Sequence, residues 1–313
     1  MKEKLKTSII SWEEPLGFDN QMTKLSIVIL TFNTKDLTCE CLKSILEQYE
    51  KELKSKEFEI ILVDNASSDK TIEAVSNLKI PNLKVIQNKE NLGFSKGNNK
   101  GVKNAVGDFV LFLNSDTQVK DKGILKMADF LDNNKHVGIL GGKLENANGT
   151  VQASAGKFYS IFNLLLLLIG GERIGLLKSS PSRISKVDWV SGACLMVRRE
   201  TFEKIGGFEE KLFMYMEDQE LCFRAKKAGY STYYYPFVSL LHKEQGSSNR
   251  TFAIIHIYEG ILHFYSQYKP KWQYRLARSL LFLKAFFIKN IGRIINNKYY
   301  ISTYGQALEL FKK

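Results

Sequence analysis

The sequence predicts an α/β fold, a mostly parallel sheet flanked by helices, followed by a basic, aromatic helical extension at the C-terminus. Three observations predict it. Short, β-branched, nearly continuous apolar runs alternate with amphipathic stretches through the first half of the chain. Each run ends in a polar loop, the pattern of a buried parallel sheet with its ligand edge at the carboxyl ends of the strands. The basic surplus lies almost wholly beyond Arg250.

In chain order, Leu25–Leu30 reads as a first strand, Leu37–Tyr49 as an amphipathic helix and Glu59–Asp64 as a second strand. Leu83–Gln87 is a third short strand, followed by a glycine-broken helix over Phe94–Ala105 and by Asp108–Leu113, the most apolar strand of the chain. A helix over Lys122–Asn134 and a short strand over Val137–Leu140 come next. Gly141–Lys186 reads as loop-rich, with the apolar run Leu164–Ile169 inside it. Order returns at Val187–Val197, with a short helix near Thr201–Ile205 and a helix from about Glu217 to Ala228, for which Gly229 suits the C-terminal cap. Tyr233–Tyr235 and Phe237–Leu241 then read as strands ending at His242.

At 313 residues, 44% apolar and 25% charged, the chain can bury a sizeable core, which excludes disorder, collagen and coiled coil. The run Leu164–Ile169 falls well short of the roughly 20 residues that span a bilayer, so no transmembrane helix is expected. Lys2, Lys4 and Lys6 are followed by Trp12, Glu13, Glu14 and Pro15 where a secretory signal needs an apolar segment, and a cytoplasmic protein is expected. Cys39, Cys41, Cys194 and Cys222 form neither a disulfide framework nor a Cys-x-x-Cys motif and read as buried or helical thiols.

The net charge is +12. Lys24–Lys120 holds 14 basic against 13 acidic residues, whereas Arg250–Lys313 holds 11 against 2 and also 14 of the 37 aromatic residues. That tail suits a partner offering negative charge together with an apolar phase. An anionic membrane surface offers both and duplex nucleic acid only part, so no nucleic-acid partner is expected. At 100° per residue, Leu276, Leu280, Leu283, Phe287, Ile291 and Ile294 fall on one narrow face, with Arg275, Arg278, Lys289 and Arg293 opposite. Phe282, Phe286 and Ile288 widen the apolar surface, and Trp272, Tyr274, Tyr299 and Tyr300 flank it. The expectation is an interfacial helix on the inner face of the cytoplasmic membrane, dispensable enough that a chain ending near Ser266 stays folded. The competing reading packs the same apolar face on the rest of the protein.

Gly93, Gly97 and Gly101, spaced by four, fit neither the dinucleotide fingerprint nor a phosphate-binding P-loop. A bound nucleotide would then need a carboxylate-held divalent cation, Mg2+ or Mn2+, to neutralise its phosphates. Asn114-Ser115-Asp116 delivers an acid to the ligand end of the strongest strand, although the same residues suit a turn. Asp64-Asn65 ends a neighbouring strand, where a carboxylate can accept the imide N–H of a uracil or thymine ring or simply cap a turn. Glu217-Asp218 opens a helix, a position that acids favour on dipole grounds alone. Glu220 and Arg224 read as a solvated i,i+4 pair, and His256 and His263 as tail surface.

Taken together, Ser26–Asn33, Val63–Asp69, Asn91–Asn99, Leu113–Asp116, Trp189–Val197 and Gly207–Asp218 resemble, in order, the motifs of family 2 inverting glycosyltransferases of GT-A fold, with bacterial rhamnosyltransferase-like members the nearest pattern. The resemblance covers roughly Lys24–Ser248. It implies that Thr31, Asn33, Asp64 and Asn65 line the nucleoside pocket, and that the Asn91–Asn99 segment, with Gly93, Lys96 and Asn98, closes over ribose and diphosphate beside Asn114 and Ser115. Asp116 would be the metal-binding acid of the Asp-x-Asp motif, whose first acid is Asn114 here. Asp218 would be the catalytic base of the Glu-Asp motif, with Glu217 beside it, and His242 the late histidine that approaches metal and diphosphate.

The expected reaction is an inverting, metal-dependent transfer from a dTDP- or UDP-sugar to a saccharide or lipid-linked saccharide in cell-surface polysaccharide synthesis. A single displacement needs one base and help for the leaving diphosphate but no enzyme nucleophile, which agrees with the lack of a Ser/His/Asp or Cys/His set. A sugar-phosphate nucleotidyltransferase would want a glycine-rich basic loop after the first strand, and Thr31–Asp36 has no glycine. A non-catalytic membrane-bound scaffold is disfavoured by the joint presence of Asp64, Asp116, Asp218 and His242. The expected organisation is an arm over residues 1–23, a catalytic domain over 24–250 and an amphipathic extension over 251–313.

Overall fold

The computed structural model describes residues 25–168, 177–243 and 250–312, so the expected N-terminal arm lies outside the described residues. Strands β1 (Leu25–Thr31), β2 (Phe58–Asp64), β3 (Leu83–Gln87) and β4 (Phe109–Asn114) pair in parallel in the spatial order β4-β1-β2-β3. Helices α1 (Lys35–Lys54), α2 (Thr71–Ser76) and α3 (Gly93–Val102) lie between them in sequence. With cover on both faces, β1, β2 and β4 are buried almost throughout, which is why they read as unbroken apolar runs rather than alternating ones.

The four-residue glycine spacing has a packing cause. A Cβ at Gly101 would stand 2.5 Å from Val28 Cγ1 and 3.1 Å from Val63 Cγ2, and one at Gly97 would overlap Leu30. The glycines let α3 lie directly on β1 and β2.

After β4 come β5 (Thr117–Val119), α4 (Gly123–Asn133) and β6 (Val137–Glu145), the last running well past the Leu140 boundary read from sequence. The stretch read as loop-rich contains β7 (Val151–Gln152), β8 (Ala155–Gly156), α5 (Ile161–Leu168), β9 (Lys178–Ser179) and β10 (Ser185–Val187). β11 (Trp189–Val190) joins β8 and β9 in a small separate sheet. β12 (Cys194–Arg198) inserts between β4 and β6, antiparallel to both, so the main sheet is mixed around a parallel half. α6 (Arg199–Lys204) and α7 (Glu217–Lys227) follow, and Gly229, at φ +91°, ends α7 as expected. β13 (Ser231–His242) is one long strand, parallel to β6 and antiparallel to β5.

The chain closes with α8 (Arg250–Tyr268), α9 (Lys271–Ile294) and α10 (Lys298–Glu309). Ala277, Leu281, Ala285 and Ala307 from this layer share a core with Tyr159, Leu164, Met216, Ile261, Phe264 and Tyr265. A chain cut near Ser266 would strip α9 and α10 from that core, which counts against its staying folded. The predicted apolar stripe of α9 nevertheless faces outward: Leu276, Leu283, Phe287, Ile291 and Ile294 are exposed, Phe287 by 59% and Ile294 by 84%. A different face of the helix, Ala277, Leu281, Ala285 and Gly292, packs on the rest of the protein. Arg278 leaves the expected basic face, since it donates to the Phe311 carbonyl at 2.7 Å and lies over the Phe311 ring.

Other sequence expectations are corrected by packing. Glu220 is fully buried rather than solvated; it accepts from Arg224 Nε and Nη2, each at 2.6 Å, and from the Tyr268 hydroxyl. Arg224 also donates to the carbonyls of Ile205 and Gly207, so the pair ties α7 to the preceding turn and to α8. His256 and His263 are partly covered, pairing with Glu259 at 2.7 Å and Glu209 at 3.6 Å. Cys41, Cys194 and Cys222 are buried thiols whose desolvation pushes each up to about 12, far from reactive thiolates. No described helix is long and apolar enough to cross a membrane.

Candidate active site

The strand order places a switch point between β1 and β4: the chain runs outward through β2 and β3, then returns to the other side of β1. Register aligns Thr31 with Asp64 and Leu30 with Asn114, which gathers the loops after β1, β2 and β4. A cleft of about 720 Å³ opens there. Thr31, Asn65, Asn91, Gly93, Asn114, Ser115, Asp116, Glu217, Asp218 and His242 all line it.

Hydroxyl and amide side chains pin the loops after β1, β2 and β4. Thr31 Oγ1 lies 2.8 Å from Thr38 Oγ1, and Thr34 Oγ1 lies 3.1 Å from Ser115 Oγ, linking the β1 and β4 loops. Asn65 Nδ2 donates to Asn91 Oδ1 and to the Gly93 carbonyl, each at 3.1 Å, while Asn65 Oδ1 accepts from Asn88 at 2.7 Å. Gly93, at φ +77°, lets the backbone meet Phe213, whose carbonyl accepts from Phe94 N at 2.6 Å.

Four expected residues stand outside the cleft lining. Asn33, left-handed at φ +52°, accepts from Ser68 N at 2.8 Å and stitches the first two loops together. Asp64 is buried and accepts from Ser67 N at 3.2 Å, the turn-capping alternative raised by its sequence. Asn98 is buried within α3 and donates to the Phe94 carbonyl at 3.0 Å, and Lys96 is exposed on that helix.

Asp116 sits in the β4–β5 turn, and the pairing of Thr117 with His242 across β5 and β13 brings the histidine to it. His242 Nε2 lies 3.3 Å from Asp116 Oδ1. Gln152 fixes the tautomer: its Nε2 donates to Asn146 Oδ1 at 2.8 Å, which leaves Gln152 Oε1 facing His242 Nδ1 at 2.7 Å. Nδ1 therefore carries the proton, and in the neutral ring the Nε2 lone pair faces the Asp116 carboxylate. Asn114 Nδ2 lies 3.5 Å from the same Nε2. One imidazole with one carboxylate is a donor pair that would suit part of a Mn2+ or Mg2+ shell. Among the described residues no group of three or more His, Cys, Asp or Glu forms a metal cage. Gln152 was not singled out from sequence; its role depends on β7 pairing with β6, a contact with no local signal.

Glu217 and Asp218 open α7 directly after Tyr215 and Met216, two consecutive non-glycine residues at φ +69° and +72°. Backbone strain of this kind is stored where surrounding packing over-determines it. Here α8 supplies the packing, because Gly260 lies directly on Met216. Asp218 accepts from Gly192 N at 3.2 Å and Gln219 N at 2.7 Å. Burial raises its pKa above the usual carboxylate range, against the pull of those N–H groups and of the Lys178 ammonium. Burial, then the adjacent Asp218, push Glu217 well above that range, and Glu217 Oε2 has no hydrogen-bond partner among the described residues. Lys178, Tyr159, Leu167, Arg250, Ala253 and Ile257 complete the far side of the cleft, none of them singled out from sequence as site residues.

This fold and site define a nucleotide-sugar enzyme of GT-A-like architecture, and the comparisons agree. The family model for glycosyl transferase family 2 matches residues 26–206, and the model described as N-terminal domain of galactosyltransferase matches 179–246. The chain belongs to glycosyl transferase family 2, and it is a glycosyltransferase. It is 30% identical over 216 residues to an N-acetylglucosaminyl-diphospho-decaprenol L-rhamnosyltransferase of Mycobacterium tuberculosis (strain ATCC 25618 / H37Rv), covering 61% of this chain and 68% of that one. It is 28% identical to Rhamnosyltransferase WbbL of Escherichia coli (strain K12), over 51% of this chain and 64% of the relative. Among solved structures, mannosyltransferase PcManGT from Pyrobaculum calidifontis, in complex with GDP-Man and Mn2+, superposes with a TM-score of 0.54 at 17% identity, covering 92% of this chain and 86% of that one. GalNAc-T7 with UDP, GalNAc and Mn2+ gives 0.59 at 14% identity, covering 78% and 48%.

Proposed function

We propose that this glycosyltransferase makes an inverting transfer from a dTDP- or UDP-sugar to a saccharide or lipid-linked saccharide in cell-surface polysaccharide synthesis. The observation that carries the reading is the joint presence, in one cleft, of the N–H-anchored Asp218 carboxylate and the Asp116–His242 pair. Asp218 accepts the proton of the acceptor hydroxyl as its oxygen bonds to the anomeric carbon from the face opposite the diphosphate. The bond from that carbon to the diphosphate oxygen breaks, and the nucleoside diphosphate leaves. Asp116 and His242 would hold Mg2+ or Mn2+, which when bound neutralises charge on the leaving group. Thr31, Asn65 and Asn91 line the proposed nucleotide end, and burial, then the adjacent Asp218, push the pKa of Glu217 well up.

The mycobacterial relative, named for a diphospho-decaprenol-linked sugar, favours the lipid-linked acceptor. So does the exposed apolar face of α9, which with Lys271, Arg275, Arg293 and Lys298 exposed on α9 and α10 suits the anionic inner face of the cytoplasmic membrane. Incubating the full chain with a panel of dTDP- and UDP-sugars, with Mn2+, Mg2+ or chelator, should release nucleoside diphosphate only with metal and the right donor. Product NMR should show inversion at the anomeric carbon. Retention would overturn the single displacement, and release unaffected by chelator would overturn the metal role.

A further inference from the structure

A second cavity, of about 480 Å³, shares Lys178 with the catalytic cleft and no other lining residue. Leu177, Pro181, Val187 and Tyr230 give it an apolar lining, and Lys157, Lys178, Lys186 and Lys226 supply its charge. The lysines arrive from separate segments: Lys157 directly follows β8, Lys178 lies in β9, Lys186 in β10 and Lys226 in α7. Asp188 is the one carboxylate on the wall, and it is already engaged, since Oδ1 accepts from Lys226 at 3.0 Å and Oδ2 from Phe158 N at 3.2 Å. Among the described residues, Lys157 and Lys186 pair with no carboxylate. A concave wall of one sign focuses its field into the cavity. The cavity also lies close to the catalytic turn: Lys226 follows Asp218 on the same helix by roughly 12 Å, at 1.5 Å per residue, and the Lys178 ammonium lowers the pKa of Asp218.

We propose that this cavity binds an acidic stretch of the acceptor glycan, sugars bearing carboxylates a short way back from the hydroxyl presented to Asp218. The inference deepens the proposed transfer reaction and rests on it. Its chemistry follows from the lining. Among the described residues no arginine lines the cavity, so it offers no planar fork for a phosphate; ammonium groups spaced around a wall match singly charged groups spaced along a chain. The apolar lining receives the C–H faces of the rings, as in saccharide-sized pockets whose few polar groups fix orientation. Lys178, common to both cavities, stands where the glycan passes from one to the other.

Calorimetric titration of the full chain with tri-galacturonate, and with its fully methyl-esterified form, tests the site without turnover. Tri-galacturonate should bind and weaken with salt, and the ester, the same rings without charge, should bind at least about tenfold more weakly. Lys157→Gln and Lys186→Gln, both at exposed positions, should each weaken tri-galacturonate roughly two- to fivefold, the effect of one exposed ion pair, and the double variant should lose at least about fivefold. Asp116→Ala should leave this binding unchanged. Acceptor-independent release of nucleoside diphosphate should be unaltered in the lysine variants, which reports that they are folded and donor-competent. Equal affinity for acid and ester, or binding that survives the double variant, would overturn the site whatever the transfer assay shows. Inorganic phosphate competing as well as tri-galacturonate would reduce it to a plain anion site and overturn the glycan reading. In transfer assays, a saccharide acceptor carrying an adjacent galacturonate should show a lower KM than its neutral counterpart, and the double variant should abolish the difference; no difference in wild type would overturn the acceptor role. If wild type releases nucleoside diphosphate from no donor, the transfer reading falls and takes the acceptor role with it, while the binding result stands.

Discussion

The side of the cleft proposed to hold the nucleotide and the side proposed to face the acceptor are built by opposite means. On the nucleotide side, parallel strands buried on both faces deliver short polar loops to a fixed edge, and each loop is pinned by amide and hydroxyl bonds such as those around Asn65. On the acceptor side, helices with two dissimilar faces, α5, α8 and α9, meet the catalytic turn through aliphatic and aromatic contacts. The two sides meet at Asp218, which is held by N–H groups of the sheet side while its turn is braced by α8.

The brace makes the strongest prediction. Glu220→Ala leaves Arg224 partly buried without its carboxylate and removes the acceptor of Tyr268, so it should cost about 3–5 kcal/mol of stability, read by chemical denaturation. Tyr268→Phe, which keeps the ion pair, should cost only about 1 kcal/mol. Equal effects would mean that the ion pair contributes nothing to joining α7 to α8.

Next in size is the proposed catalytic base. Asp218→Asn should lower kcat by at least the roughly 100-fold typical of a general base, with donor affinity unchanged and circular dichroism unaltered. Glu217→Gln, which replaces a carboxyl whose pKa burial pushes well up, should retain most of the turnover. The reverse result would exchange the two roles.

Asp116→Ala probes the nucleotide side alone. Mn2+-dependent binding of a pyrimidine nucleoside diphosphate, followed by calorimetry, should weaken by at least the roughly 10–100-fold that loss of an outer-shell partner costs, with metal-free binding unchanged. Gln152→Leu should weaken it less, by freeing the ring of His242. Identical binding with and without metal in all three proteins would remove Asp116 and His242 from the metal role.

These residues show how far the sequence could be read and where it stopped. The parallel half was legible because burial on both faces leaves an unbroken apolar run, and because a polar loop at every strand end marks the ligand edge. The boundary of β6 and the pieces of the second sheet were missed, since two- and three-residue strands such as β8 and β9 carry no period of their own. Glu220 shows a different limit: i,i+4 spacing reports that two side chains can meet and is silent on whether a distant Tyr268 covers them. The amphipathic pattern of α9 was real, but three small residues, Ala277, Ala285 and Gly292, together with Leu281, form the buried face. A hydropathy argument passes over alanine and glycine and assigns the core to the larger side chains.

A smaller effect joins the two sides. Lys178 lowers the pKa of Asp218 while burial raises it. The base must be ionised to work, so kcat/KM should fall as pH drops through a value above the ordinary carboxylate range. Removing the ammonium in Lys178→Met leaves the upward push less opposed, so the acid limb of the profile should move to higher pH. A profile that stays in place would separate Lys178 from the base.

The smallest expected effect on the fold belongs to the outer face of α9, and it separates a helix that packs from one that docks. Phe287 is 59% exposed, so Phe287→Ser removes little buried surface and should change stability by no more than about 0.5 kcal/mol. Ala285, two residues away, is fully buried, and Ala285→Phe should cost about 1–3 kcal/mol by overpacking the shared core. Binding to vesicles should invert the order: wild type should pellet with anionic but not neutral vesicles and be released by salt, and Phe287→Ser should bind several-fold more weakly. Arg293→Gln should weaken binding through charge alone, with a shallower salt dependence. If Phe287→Ser destabilises the protein as much as Ala285→Phe does, the outer face is covered by a second copy of the chain or by another protein segment, and its exposed aromatics belong to that interface and not to a bilayer.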